Sequence, residues 1–300
     1  MRTAVCLAVS AALALAFVSG AHARGGWADP GWDVAIDFDD YPNPPSTDDA
    51  AALDGNWTHD NGSDQWDGSA PGAGNPGGVA IDTVAGAGDG GGDAVVLSLE
   101  DTGDPRNDGF ADPGSNRKLY FGQDLGPAGA SMFDAGITLV TRLRVNPSPT
   151  DAPADGHDLH DGGKGHVGVV NTFGAVANVS IAIDTGVLNV VGDNVIEGVV
   201  ETEFQSVWLT AVAVADGLQV DVYLNGSTDS AFSGVVTPGD GSDVAADSYV
   251  AVGMGSTGRD GAVQIDYVAV KFAPAAPQPP AAVDPAGKAT TTWGALRAAR

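Results

Sequence analysis

The chain has 300 residues, and the roughly 250 between an apolar start and a Pro/Ala-rich end suit one sandwich or barrel domain with a sizeable core. Its formal net charge of −26, from 39 acidic residues against 13 Lys and Arg, argues against nucleic acid and anionic membranes as partners, because such a surface repels phosphates. Only four of the acidic residues are Glu, and the excess of Asp, with 43 Gly and 18 Pro, favours strands joined by turns over helices.

Residues 1–23 read as a secretory signal. Arg2 supplies the positive start, Val5 to Val18 is an apolar run too short for a membrane span, and Ala21-His22-Ala23 has the small-x-small form of a signal-peptidase site. The expected location is therefore secreted or cell surface. Cys6 lies inside this leader, so the mature chain has neither a disulfide nor a thiol nucleophile.

The domain proper is expected over 24–273, beginning with a strand at Val34 to Phe38; Pro42 to Ala52 reads as a loop. The stretch Asn56 to Gly68 is the most polar informative one. Asp60, Asn61, Asp64 and Asp67 place four oxygen-bearing side chains around a glycine, which fits either a Ca²⁺ loop or a cluster of Asx turns. Trp57 and Trp66 flank it, and an exposed Trp there stacks on a sugar ring whereas a buried one packs in the core. Short strands follow at Gly78 to Thr83, Ala94 to Leu99 and Lys118 to Phe121, with Gly86 to Asp93 read as a flexible turn. Arg117 and Lys118 are adjacent cations in an acidic chain, suited to a local salt bridge or to clamping a ligand carboxylate.

Gly136 to Val145 alternates as a long strand with one face in a core. A Pro-rich loop then leads to His157, His160 and His166, interleaved with Asp158, Asp161 and Lys164. Three imidazoles so close together fit a transition-metal site, a carbohydrate-facing loop or a plain surface loop. Further short strands are expected at Val167 to Asn171, Val176 to Asp184, Val187 to Val191 and Val195 to Val200. Glu201-Thr202-Glu203 would put two carboxylates on one face of a strand, and Asp37-Phe38-Asp39 has the same spacing. From Phe204 to Gly226 two period-two runs flank Asp216-Gly217, a strong hairpin signal, and a second turn follows at Asn225-Gly226. The last strand is Gly261 to Phe272, in which Asp266 reads as a hydrogen-bonded structural carboxylate.

A Trp-led strand, an Asp-Gly turn, the run Val220-Asp-Val-Tyr-Leu-Asn-Gly226 and a final strand Gly261-Ala-Val-Gln-Ile-Asp-Tyr-Val-Ala-Val270 resemble the C-terminal half of a concanavalin A-like (laminin G-like) jelly roll. The blocks Asn116 to Gly122 and His160 to Gly165 resemble stretches in secreted environmental-bacterial members of that superfamily. The resemblance implies an all-β, antiparallel β-sandwich with the first strand beside the last. It also implies a non-catalytic glycan-binding or adhesion module; the residues themselves add Trp66, Arg117, His160, Lys164 and His166 as candidate ligand contacts and Asp60, Asn61, Asp64 and Asp67 as candidate Ca²⁺ ligands. The superfamily's glucanases carry two Glu and an Asp alternating on one strand, and this chain departs from that pattern. Two other readings stay open: a polysaccharide hydrolase or lyase using Asp or the His157 to His166 loop, and a structural cell-surface component. The latter would act through a disordered Pro/Ala linker at 274–289 and a tail at 290–300 that carries Trp293, Leu296, Arg297 and Arg300 and resembles C-terminal tags of some secreted bacterial proteins.

Overall fold

The computed structural model describes residues 24–40, 57–59, 78–89, 91–101, 118–124, 132–147, 168–173, 178–184, 186–191, 194–237, 249–255 and 261–280. In chain order the strands are β1 (Val34–Asp37), β2 (Trp57–His59), β3 (Gly78–Val84), β4 (Ala94–Asp101), β5 (Lys118–Asp124), β6 (Ile137–Val145), β7 (Gly168–Phe173) and β8 (Asn178–Asp184). They continue with β9 (Val187–Val190), β10 (Asn194–Glu197), β11 (Gln205–Val214), β12 (Gly217–Leu224), β13 (Phe232–Val236), β14 (Tyr249–Gly255) and β15 (Gly261–Lys271). A single helical turn, α1 (Met132–Ala135), precedes β6.

Among the described residues the strands form two antiparallel sheets. One runs β13-β12-β11-β6-β15-β4-β3 with β1 also on β15, and the other runs β10-β9-β8-β7-β14-β5-β2. Successive strands β4, β5, β6 and β7 alternate between the sheets, and the late pair is threaded into the gaps, β14 between β5 and β7 and β15 between β4 and β6. This is the expected concanavalin A-like β-sandwich of jelly-roll type. β1 pairs with β15 from Val34 opposite Val270 to Asp37 opposite Tyr267, so the first strand does lie beside the last.

The core lies between the sheets. Leu97, Leu99, Leu139, Leu143, Leu209, Val220, Val263 and Val268 from the larger sheet meet Ile181, Ile183, Leu188, Val250 and Val252 from the smaller one. Burial of this apolar surface, about 25 cal/mol per Å² removed from water, drives the assembly.

The outer face of the larger sheet is also covered. Trp27, Val140, Trp208 and Tyr267 form a second, smaller core there, with Trp32 and Ala275 packed over it. Trp208 packs edge-on against Trp27 with ring centroids 5.6 Å apart and against Trp32 at 5.4 Å. Its indole N–H donates to the Ala275 carbonyl at 2.9 Å, and that of Trp27 donates to the Ser227 carbonyl at 2.8 Å. The two ends also bond to each other, Ala28 N–H to Gln278 O at 2.7 Å. Within the stretch expected as the start of a free linker, Ala275 therefore packs on the sheet and Gln278 is bonded to the N-terminal strap. With both faces covered, Ala262 to Val270 are all buried.

Three local readings differ. The connection between β11 and β12 is Ala215-Asp216 rather than Asp216-Gly217, because Gly217 already pairs with Val214. Gly217 is needed there for a different reason: a Cβ would lie 2.3 Å from the Val236 carbonyl of β13. The polar stretch from Asn56 opens with strand β2, paired to β5, before any loop. Strands β13 and β14 lack a strong sequence signal, as β13 has a glycine at its centre and β14 sets Val and Met against Tyr, Ala and two glycines.

Because Trp208 ties both ends to the sheet, Trp208→Ala is expected to cost about 3–5 kcal/mol in urea unfolding. A chain ending at Ala273 should melt below one ending at Pro280, and equal melting points would show that the C-terminal cover is dispensable.

Candidate functional site

β15 cannot keep strict alternation. Ile265 and Val268 both face the core although they are three residues apart. The ladder to β6 accommodates this by pairing Ile265 with Leu143 and Tyr267 with Arg142, leaving Asp266 unmatched in a β-bulge. Asp266 is buried and meets Arg142 of β6, and Tyr267 joins the outer-face cluster. At the same place the partner strand on the other edge changes from β4, which ends its pairing at Ile265, to β1, which begins at Tyr267.

A cavity of about 410 Å³ opens at this junction, lined by Arg24, Ala35, Ala94, Val95 and Tyr267 and by the carboxylates of Asp37, Asp39, Asp40, Asp89, Asp93 and Asp266. Beneath it Arg142 binds Asp266 at 2.5 Å through Nη1 and Asp89 at 3.4 Å through Nε, while Nη2 donates to the Ala87 carbonyl. Asp89 in turn accepts from the Gly25 N–H at 2.5 Å and from the Tyr267 hydroxyl at 3.1 Å. Arg24 reaches Asp37 at 3.3 Å and lies over the Tyr267 ring, 5.0 Å from its centroid. Phe204 carries the guanidinium groups of both Arg142 and Arg144 at 4.3 and 4.4 Å from its ring centroid.

The electrostatics follow from burial. Desolvation pushes the Asp266 carboxyl up to about 6; the hydrogen bond and charge of Arg142 oppose this, and Asp89 and Asp37 add to it. Asp39 is raised by burial and then by Asp37 and Asp40, and Tyr267 is held neutral by burial and by Asp89. The cavity offers hydrogen-bond acceptors and negative charge, which suit a polyhydroxylated or cationic solute and repel an anion.

Most sites expected from sequence fall elsewhere. Asp60, Asn61, Asp64, Asp67, Trp66, Arg117, His157, His160, Lys164 and His166 lie outside the described residues, as do Trp293, Leu296, Arg297 and Arg300. Among the described residues no group of three or more His, Cys, Asp or Glu is placed to hold a metal ion. Glu201-Thr202-Glu203 forms a turn rather than a strand, closed by Glu203 N–H to Val200 O, and Glu201 accepts from the Gly186 N–H at 3.2 Å, so the two carboxylates do not share a strand face. Asp37 and Asp39 do line one cavity, although by a different route: the strand ends at Asp37 and a 3₁₀ turn carries Phe38 to Asp40. Asp266 is the hydrogen-bonded carboxylate expected. Its partner Arg142 and the clasp at Asp89 had no sequence signal beyond an Arg on a core strand and an Asp among glycines.

No family model matches the chain, and no curated protein does. Among solved structures it is similar to an exo-β-agarase at 13% identity, covering 82% of this chain and 26% of that one, with a TM-score of 0.41. It is also similar to the endo-1,3-β-glucanase of Streptomyces sioyaensis at 14% identity, covering 82% and 96%, TM-score 0.42. A β-1,3-glucanase from Mycobacterium marinum follows at 12% identity, covering 80% and 99%, TM-score 0.40. The chain thus spans about a quarter of the agarase and nearly all of the two glucanases.

The raised Asp266 carboxyl binds its proton more readily in the folded chain. Its contribution to stability is therefore complete at low pH and is lost as pH rises through about 6. Asp266→Asn should flatten the fall in urea-unfolding stability between about pH 4 and 6, a change of up to about 3 kcal/mol, and an unaltered slope would remove Asp266 as its source. Arg142→Met, which strands the buried carboxylate, should cost about 3–5 kcal/mol at neutral pH.

Proposed function

We propose that this is an exported, non-catalytic carbohydrate-binding or adhesion module, stabilised by Ca²⁺ at Asp60, Asn61, Asp64 and Asp67. The observation that carries the reading is that, among the described residues, the carboxylates best placed for chemistry are already engaged as structural groups. Asp266 is neutralised by Arg142, Asp89 clasps three partners, Asp37 holds Arg24, and Glu201 is bonded to backbone. A retaining glycosidase needs two free carboxyl groups about 5–5.5 Å apart on either side of the scissile bond. The Asp-rich composition and the β-sandwich fold support a sugar-facing role, with Trp66 as a stacking platform and Arg117, His160, Lys164 and His166 beside it.

One feature favours the alternative, a polysaccharide hydrolase or lyase. Asp39 and Asp266 share one cavity, and burial raises the pKa of each, the direction of shift that a carboxyl acting as a general acid needs. In that case Asp39→Asn should abolish release of reducing ends from soluble polysaccharide.

The deciding experiment is a glycan array on residues 24–300, with calcium and with EDTA, run beside a reducing-end assay. Binding that calcium strengthens, without product release, supports the lectin-like reading; turnover overturns it. EDTA should lower the melting temperature, and Asp64→Ala should remove that difference. A melt indifferent to EDTA would eliminate the calcium site.

A further inference from the structure

Arg24-Gly25-Gly26-Trp27 is built as an anchor. Arg24 and Trp27 exchange both backbone hydrogen bonds, each 3.1 Å, around Gly25 at φ 62° and Gly26 at φ 86°, the two-residue turn that needs two left-handed residues. No side chain fits at Gly25: its Cβ would lie 2.6 Å from that of Ser206 and 2.8 Å from the Trp27 ring. Trp27 is fully buried on the outer face of the larger sheet, so the turn is fixed at its far end.

Its near end lies beside an excess of negative charge, six carboxylates lining one cavity with the side chains of Arg24 and Arg142 beside them. The Gly25 nitrogen is 2.5 Å from the Asp89 carboxylate. Backbone nitrogens of adjacent residues are less than about 4 Å apart, which puts that carboxylate within about 6 Å of the Arg24 nitrogen, close enough for an opposite charge to be stabilised. Arg142 and the Arg24 side chain are the cations nearby, already engaged with Asp266, Asp89 and Asp37, while Asp39, Asp40 and Asp93 line the same cavity.

We propose that cleavage after Ala23 locks the fold: the α-ammonium released on Arg24 becomes a counter-ion of Asp89 and fastens the N-terminal strap, so the domain reaches full stability only once its leader is gone. The inference rests on the export reading. A signal peptidase adds water across the Ala23–Arg24 amide; the leader departs with the new carboxylate, and the Arg24 nitrogen takes a proton. Before the cut that nitrogen is a neutral amide that donates one hydrogen bond. Afterwards it carries a charge and three donors, one of which serves the Trp27 carbonyl.

Mass spectrometry of the exported protein comes first. Arg24 as first residue is expected, and any other terminus overturns the proposal at the export step. Next, the 24–300 chain released from a ubiquitin-like fusion with Arg24 exposed is compared with the same chain retaining Ala23, which moves the charge by about 3.6 Å. The Arg24 form should melt about 2–4 °C higher, and the difference should vanish in Asp89→Asn. Equal melting in the wild type, or an undiminished difference in the variant, overturns the counter-ion role. Should Asp89→Asn not fold, 2-pyridinecarboxaldehyde decides. It couples to a terminal amine together with the next amide nitrogen, here that of Gly25, and should label folded wild type at least tenfold more slowly than the urea-unfolded chain. Equal rates overturn the proposal.

Discussion

The buried contact between Arg142 and Asp266 is the constraint around which the rest of the larger sheet is arranged. A carboxylate in a sheet interior costs several kcal/mol to desolvate, and the bulge that turns Asp266 away from the core is tolerable only because β6 supplies a guanidinium at that level. The same guanidinium reaches Asp89 and Ala87, so the β3–β4 connection is drawn onto β6. Asp89 then gathers Tyr267 and the Gly25 amide. Four segments distant in sequence thus meet at a single charge network.

That network explains why the outer face of the sheet is closed. Once Gly25 is held by Asp89 and Trp27 lies on Trp208, the N-terminal strap runs along the sheet and can pair with the C-terminal stretch at Ala28 and Gln278. Lys271 and Phe272 add bonds to Gly31 and Asp33. An antiparallel sheet normally leaves one face to water. Here the centre of the sheet is buried on both sides, and its polar residues are accordingly paired: Gln264 with Arg144 and Ser98, and Thr141 with the Tyr267 carbonyl. With one cysteine the chain can form no internal disulfide, and this packing fastens the two covering segments to the sheet instead.

The cavity at the β4/β1 junction is a product of the same geometry. Where one edge of β15 passes from β4 to β1 no strand fills the gap, and the carboxylates of both flanking segments line it. Its acidity and its neutral Tyr267 favour hydroxyl-rich or cationic solutes, in keeping with the proposed sugar-facing role. The engagement of Asp266, Asp37 and Asp89 in structure weighs against covalent or acid–base chemistry there.

The pairing of first strand with last was expected from the family resemblance, whereas periodicity and turn chemistry were enough to place the hairpin of β11 and β12, the long β6 and the closing β15. Each of these depends on local alternation of apolar residues, which the chain displays openly. The same reasoning identified Asp266 as a bonded carboxylate from its apolar neighbours. It could not find Arg142 or Asp89 as its company, nor see that Glu201 and Glu203 sit in a turn, nor that Ala275 and Gln278 are held to the sheet and the N-terminal strap. Those facts depend on which strands become neighbours across more than a hundred residues and on a one-residue bulge that re-aims a side chain. Apolar pattern is a property of each strand by itself, whereas a charge network and a covered outer face exist only after the sheets have closed.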